Sequence, residues 1–209
     1  MSRSHVVITG TGRAGTSFLV QLLTYLGLDT GFSPQRMALH STSRAGLESD
    51  IRSEDSPYIV KSPWFSIHAE ELLQNRKDII IDHVYIPIRD LHAAAESRRY
   101  VTKVAKAKLD PAESDKVDSS AIPGGLWLTR EESQQEVVLM NQLYRLVLAL
   151  SNSTIPVTLL RYPRLVKDSR YLYEKLKPIL KEITFTQFES VFNRTVIPSF
   201  IHSFNENDS

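Results

Sequence analysis

The sequence contains no cysteine among its 209 residues. Without thiols the chain forms neither disulfides nor thiolate zinc sites, and it cannot use a cysteine nucleophile. It also lacks the roughly 20 consecutive apolar residues that a membrane-spanning helix needs. A predicted core strand begins only four residues from the N-terminus, which leaves no room for a signal peptide. We therefore expect a cytoplasmic protein without a membrane span.

A large excess of either charge is missing too. The chain has 25 Lys and Arg residues against 24 Asp and Glu residues, a formal net charge of +1. This balance argues against a nucleic-acid partner that is bound through a large positive net charge. Any anion that the protein binds must therefore contact a few specifically positioned donor groups. The hydrophobic content of 42% is typical of a globular protein. We predict one domain that spans residues 1–209, whose oligomeric state the sequence leaves open.

Apolar strand patterns alternate with helical patterns along the chain. Strands are predicted at residues 6–9, 58–61, 84–88 and 156–160, and helices at 16–26, 66–75, 91–106, 130–150 and 168–180. This alternation predicts an α/β fold, a single-domain three-layer α/β/α arrangement with a mostly parallel central sheet. Residues 103–125 are rich in Lys, Asp and Ser, and we interpret them either as a mobile lid or as a solvated surface.

A glycine-rich segment, residues 10–17, separates the first predicted strand from the first predicted helix. Glycines let the backbone approach a phosphate closely, and the free N–H groups at a helix start point toward the anion. Arg13 can place its forked guanidinium on phosphate oxygens, while Thr16 and Ser17 add hydroxyl donors. The pattern therefore predicts an anion site of the P-loop kind.

Two other interpretations of this loop remain open. It could be a tight strand–helix turn that binds nothing, or the loop of a nucleotide kinase. The usual nucleotide-triphosphate loop carries Lys immediately before the Ser/Thr. Thr16 occupies that position here, and the cation lies at Arg13 instead. The sequence therefore disfavours an ATP and magnesium site.

Two motifs resemble those of the sulfotransferase family that uses 3′-phosphoadenosine 5′-phosphosulfate (PAPS). Residues 13–18 resemble the family's 5′-phosphosulfate loop, and Arg89 followed eight positions later by Ser97 resembles its 3′-phosphate site. Arg89 directly follows a predicted strand, at the carboxyl end where ligands of open α/β sheets bind. By this resemblance the cofactor is PAPS, without a metal, and the residues that bind it are Gly12, Arg13, Ala14, Gly15, Thr16, Ser17, Phe18, Arg89, Ser97 and Tyr162.

The same resemblance implies the catalytic groups. Sulfuryl transfer needs charge stabilisation on the leaving oxygen, and the family's pattern assigns that role to Arg13 and Lys61. A base must also remove the acceptor's proton. The positions where branches of the family carry their base hold Pro63 and Arg36 here. His40 is the base that we predict, and Glu48 and His68 are the alternatives.

The resemblance implies a sulfotransferase, in which the sulfuryl group passes to a hydroxyl or amine of a carbohydrate or small-molecule acceptor. Because neither family base is kept, a nucleotide-binding regulator that retains the donor site without turnover is the main alternative. A P-loop nucleotide kinase is the third.

Overall fold

A four-stranded parallel sheet forms the centre of the protein. The computed structural model describes residues 2–41, 43–109 and 117–201. The strands are β1 (Arg3–Ile8), β2 (Ile59–Lys61), β3 (Ile79–Ile88) and β4 (Val157–Arg161). They lie in the order β2-β1-β3-β4, and every neighbouring pair is parallel. The predicted α/β fold with a parallel central sheet is confirmed.

Helices follow the strands along the chain. The described α-helices are α1 (Thr16–Tyr25), α2 (Phe65–Asn75), α3 (Leu91–Lys106), α4 (Gln135–Ser151), α5 (Arg164–Lys167), α6 (Ser169–Leu180) and α7 (Phe185–Thr195). Short 3-10 helices lie at Ser119–Ala121, Glu132–Gln134 and Pro198–Phe200. No helix in the described ranges is both long and apolar enough to cross a bilayer.

The helices cover both faces of the sheet because successive strand side chains point to opposite sides. One core contains Val6 and Ile8 of β1 and joins the strands to α1, α6 and α7. The other contains Val7 and joins the strands to α2 and α4. A smaller cluster packs α3 against α4. Both faces of β1 are thus buried, as expected for a central parallel strand.

Several elements differ between the prediction and the structure. The helix predicted from residue 130 begins at Gln135, because Glu132–Gln134 is a 3-10 turn. Strand β3 begins at Ile79 rather than Val84. The polar His83 is accommodated inside this strand because its ring bonds the Thr158 hydroxyl at 2.8 Å. Helix α7 was not predicted, although Thr184 and Gln187 form a capping box that signals its start.

The segment predicted as a lid or loop, residues 103–125, is partly helical. Helix α3 continues to Lys106, so Lys103 and Lys106 lie on its last turn. Lys116 lies outside the described residues. Ile122 is buried near the end of this segment, and the segment therefore contributes to the packed structure at that end.

Candidate functional site

The glycine-rich loop has a backbone that few residues other than glycine adopt. It connects β1 to α1, and Gly12, Arg13 and Gly15 all have positive φ, at 69°, 54° and 88°. A Cβ built on Gly15 would lie 2.9 Å from Leu165 Cδ1. Backbone conformation and lack of space therefore both require glycine at position 15.

The start of α1 offers unsatisfied backbone donors. The helix begins at Thr16, and its N-cap Gly15 supplies no side-chain hydrogen bond. No acidic residue lies in the first turn. The first N–H groups of a helix lack partners inside the helix, and the helix dipole is positive at this end. This terminus can therefore bind an anion.

A pocket lies beside this helix start, where β1, β3 and β4 end. We name it the arginine pocket because Arg13, Arg44 and Arg89 line it. The described lining residues include no carboxylate, so the pocket favours an anion. Its other lining residues are Gly15, Thr16, Ser17, Phe18, Gln21, Leu39, Ser43, Ser97, Tyr162, Val166, Thr195, Val196, Ile197 and Ile201.

Arg13 joins the loop to α3. Its Nε donates to Ser97 Oγ at 3.1 Å, and its Nη1 donates to the Ser43 carbonyl. Arg89 in turn donates from Nη1 to the Arg13 carbonyl at 3.0 Å. Burial and then the charge of Arg89 lower the pKa of Arg13 to about 10. The sequence-predicted Arg13, Arg89 and Ser97 thus meet in one place, although Arg13 lies far from the other two along the chain.

Arg89 also faces an aromatic ring. Its guanidinium carbon lies 4.8 Å from the centroid of the Tyr162 ring, a cation–π distance. Burial lowers the pKa of Arg89 and raises the pKa of the Tyr162 phenol. Both shifts follow from removing charged forms from water. Tyr162 is placed by the end of β4, next to the end of β3 that carries Arg89.

Phe18 has two roles in the structure. Its side chain lines the arginine pocket. The ring also packs edge-on against Phe192 of α7, with 5.7 Å between ring centroids. Phe18 can therefore pack in the core and also contact a ligand in the pocket.

Lys61 lies outside the arginine pocket but touches it through Ser17. Its Nζ donates to Ser17 Oγ at 2.8 Å, to the Gly46 carbonyl at 2.6 Å and to Glu48 Oε1 at 2.7 Å. Burial lowers the pKa of Lys61, and the carboxylate of Glu48 partly offsets this effect. The lysine is therefore held in an ion pair beside the start of α1.

The structure places three further predicted site residues outside the described lining of the pocket. His40 Nδ1 lies 3.2 Å from the hydroxyl of Ser43, which itself lines the pocket. Ala14 is fully buried. A Cβ on Gly12 would lie 2.6 Å from Arg98 Nη2, so this glycine faces the protein interior. These residues can support the loop but do not form its exposed wall.

Sequence reasoning missed part of the pocket wall. Ser43 and Arg44 lie in a stretch that carries no helical or strand periodicity, which is why it was interpreted only as loop. Thr195 is the last residue of α7, the helix that was not predicted, and the lining residues Val196, Ile197 and Ile201 follow it. The sequence signal for the first group was a polar Ser-Arg pair within the loop that follows the predicted anion-binding helix.

A group with metal-ligand chemistry lies away from the pocket. The ligand atoms of His92, Glu96 and Glu136 lie within 4.8 Å of one another, and no other such group occurs in the described ranges. Arg99 donates to the carboxylates of both Glu96 and Glu136. The acids are thus paired with a guanidinium, and the group forms an ion-pair cluster between α3 and α4.

The similarity of this chain to known proteins is weak. No protein-family model and no curated protein matches the chain. Among solved structures, the chain is similar to a sulfotransferase domain from the curacin biosynthetic pathway, with a TM-score of 0.48 and 14% sequence identity. The match covers 90% of this chain and 77% of that one. A similarity of this strength does not indicate a shared function.

Proposed function

We propose that the arginine pocket binds PAPS and that the protein transfers its sulfuryl group to an acceptor hydroxyl or amine. The observation that carries the proposal is the meeting of Arg13, Arg89 and Ser97 beside the uncapped start of α1. Guanidinium forks, a hydroxyl and free helix N–H groups are the donors that phosphate oxygens prefer.

The pocket suits a ligand with two anionic groups and one flat aromatic ring. In the proposal the 5′-phosphosulfate lies at the start of α1 near Arg13, and the 3′-phosphate lies at Arg89 and Ser97. The adenine takes the apolar part of the lining, which includes Phe18 and Val196. Both anions then offset the repulsion between Arg13 and Arg89, whose guanidinium charges lie close together and are poorly hydrated.

The proposed transfer conserves charge and atoms without a metal. The acceptor oxygen or nitrogen forms a bond to sulfur as the bond from sulfur to the bridging oxygen breaks. Adenosine 3′,5′-bisphosphate leaves with that electron pair, and Arg13 stabilises its charge. Lys61 contributes indirectly, because its ammonium group donates a hydrogen bond to Ser17 in the first turn of α1. His40 remains the predicted base, and it reaches the pocket through Ser43.

One observation favours the alternative of a donor-binding regulator without turnover. Lys61, the predicted partner of the transferred group, is already bound by Glu48 and Gly46. In that case the pocket would bind the donor or its bisphosphate product and no sulfated product would form. Measuring bisphosphate release from PAPS in the presence of carbohydrate and phenolic acceptors separates the two functions.

The first experiment is calorimetric titration with adenosine 3′,5′-bisphosphate in the absence of magnesium. We expect the wild type to bind, and Arg89→Ala to weaken binding about 10-fold to 100-fold, because a hydrogen bond to a charged group contributes roughly 1.5–3 kcal/mol. Arg145→Ala is the matched control, since this arginine is exposed on α4. It should leave the affinity unchanged.

Two results would contradict the proposal. If the wild type does not bind the bisphosphate, the PAPS site is wrong. If it binds ATP only with magnesium, the nucleotide-kinase interpretation replaces it, despite Thr16 at the position of the usual lysine.

A further inference from the structure

Arg98 lies directly behind the glycine-rich loop, one residue after Ser97 on α3. Only 4% of it is exposed. Its Nη2 donates to the Thr11 carbonyl at 2.6 Å, and its Nη1 donates to the Gly125 carbonyl at 2.7 Å. The guanidinium carbon lies 5.5 Å from the centroid of the Trp127 ring. One buried side chain therefore links the loop to a part of the chain more than a hundred residues away.

The loop is shaped around this guanidinium. A Cβ built on Gly12 would lie 2.6 Å from Arg98 Nη2, and Gly12 also has a positive φ of 69°. A side chain at position 12 would have to displace Arg98 or move the loop. Glycine at position 12 therefore leaves room for Arg98 on the inner side of the loop, in addition to allowing a ligand to approach.

The far end of the link, residues 122–127, also reaches Arg13. The Leu126 N–H donates to Thr102 Oγ1 at 3.0 Å, which fixes the segment to α3. A Cβ on Gly124 would lie 3.2 Å from Arg13 Nη1. Segment 122–127 is therefore held by α3 on one side and packs against the pocket arginine on the other.

The charge of Arg98 is balanced by carbonyl dipoles in this structure. Its guanidinium donates to two backbone oxygens, those of Thr11 and Gly125. Burial and then the nearby charge of Arg13 lower the pKa of Arg98 to about 9. Breaking such a buried contact is strongly destabilising, because it leaves the remaining groups without partners. The geometry of the loop and this contact are therefore coupled.

We propose that Arg98 is a positioning residue of the donor site. It fixes the backbone at Thr11 against segment 122–127, and this holds Arg13 toward the arginine pocket in the form that binds an anion. The inference rests on the proposed function for the identity of the ligand. It assigns to Arg98 no contact with the ligand itself.

The test is titration of Arg98→Met and Arg98→Lys with adenosine 3′,5′-bisphosphate, well below the melting temperature of each variant. We expect Arg98→Met to weaken binding about 10-fold to 100-fold, as for the loss of charge-assisted hydrogen bonds. Arg98→Lys keeps the charge and can bond one carbonyl, so it should recover part of the affinity. Arg145→Met is the matched control and should bind as the wild type does. A purely structural role would lower the melting temperature of Arg98→Met and leave the affinity of its folded form intact, which would overturn the proposal.

Gly12→Ala provides a second, independent variant. Its methyl group should weaken binding in the wild type and cost less in the Arg98→Met background, where the clash with Nη2 is gone. Such non-additivity is the signature of residues in contact. If the losses of binding free energy from Gly12→Ala and Arg98→Met are fully additive, the proposed coupling between these two residues is overturned. If Arg98→Met does not fold, Arg98→Lys and Gly12→Ala alone decide, and unchanged affinity in both rejects the proposal.

A failure of the proposed function would give a different experimental result from a failure of the positioning role. If the wild type does not bind the bisphosphate, the PAPS assignment fails, and the same variants are titrated with inorganic pyrophosphate. Loss of pyrophosphate binding in Arg98→Met would then support the positioning role by itself. If the wild type binds neither probe, both proposals are overturned.

Discussion

Gly15 and Gly27 share a backbone conformation but differ in their surroundings. Their φ values are 88° and 81°, and both lie in the left-handed region that side chains disfavour. A Cβ on Gly15 would meet Leu165 Cδ1 at 2.9 Å, whereas nothing lies within 4 Å of a Cβ on Gly27. The pair therefore separates the effect of backbone strain from that of crowding.

Alanine at each position gives a matched comparison. Gly27→Ala should lower the free energy of unfolding by roughly 1–2 kcal/mol, which is the cost of a left-handed backbone for a residue with a Cβ. Gly15→Ala should lower it by about 1–3 kcal/mol more, because the new methyl group overpacks against Leu165. Urea unfolding followed by circular dichroism measures both. Equal losses would show that Leu165 moves aside at no cost.

The proximity of Arg13 and Arg89 could be predicted from the sequence, and the reason is physical. Each follows a parallel strand, and the carboxyl ends of such strands lie at one edge of a sheet. Ser43 and Arg44 could not be predicted in this way. They belong to no periodic element, so their place in the pocket depends on tertiary contacts such as the bond from Arg13 to the Ser43 carbonyl.

At the scale of elements, α4 shows two apolar sides of different character. Leu139, Leu146 and Leu150 are buried against the sheet and α3. A second set is exposed to solvent and includes Val137, Met140, Tyr144, Val147 and Leu148. The sequence does not distinguish these two sides, because hydrophobicity alone does not show how much of a helix its neighbours cover.

Two neighbouring leucines of α4 test this division. Leu146 is fully buried, and Leu148 is 52% exposed. We expect Leu146→Ala to lower the free energy of unfolding by about 2–5 kcal/mol, since it removes buried methylene groups and leaves a cavity. Leu148→Ala should change it by about 0.5 kcal/mol or less. Chemical unfolding measures the difference, and a large loss in Leu148→Ala would mean that this side of the helix is covered in solution.

The boundaries of elements were predicted less well than their order. The first half of β3 was not predicted because it contains polar residues such as Asp82 and His83. The sequence does not show that the His83 ring forms a hydrogen bond with Thr158 on β4. Helix α7 was missed although Thr184 and Gln187 carry a capping box. Its apolar side becomes recognisable once Phe188 and Phe192 are seen to pack on the core of α1 and α6.

At the scale of the whole molecule, the buried ion pair of Lys61 and Glu48 links stability to pH. Burial lowers the pKa of Lys61 in the folded protein below its value of 10.5 in the unfolded chain. In the window between these two values the unfolded chain binds more protons than the folded protein. Stability contributed by this group therefore rises as the pH increases toward 10.5.

Lys61→Met removes this dependence. The difference in unfolding free energy between wild type and Lys61→Met should shift in favour of the wild type as the pH rises toward 10.5. Tyrosine ionisation affects both proteins alike and cancels in the difference. Urea unfolding of both proteins at each pH provides the measurement. A difference that stays constant, or that shifts toward the variant, would contradict the lowered pKa of Lys61.

The aromatic contact beside Arg98 gives the molecule an optical property. The chain contains two tryptophans, and the rings of Trp64 and Trp127 lie 6.1 Å apart, centroid to centroid. Trp127 also faces the guanidinium that holds the glycine-rich loop. All of the protein's intrinsic indole fluorescence therefore originates in one neighbourhood next to that loop, so its emission reports local rearrangement there without an added dye.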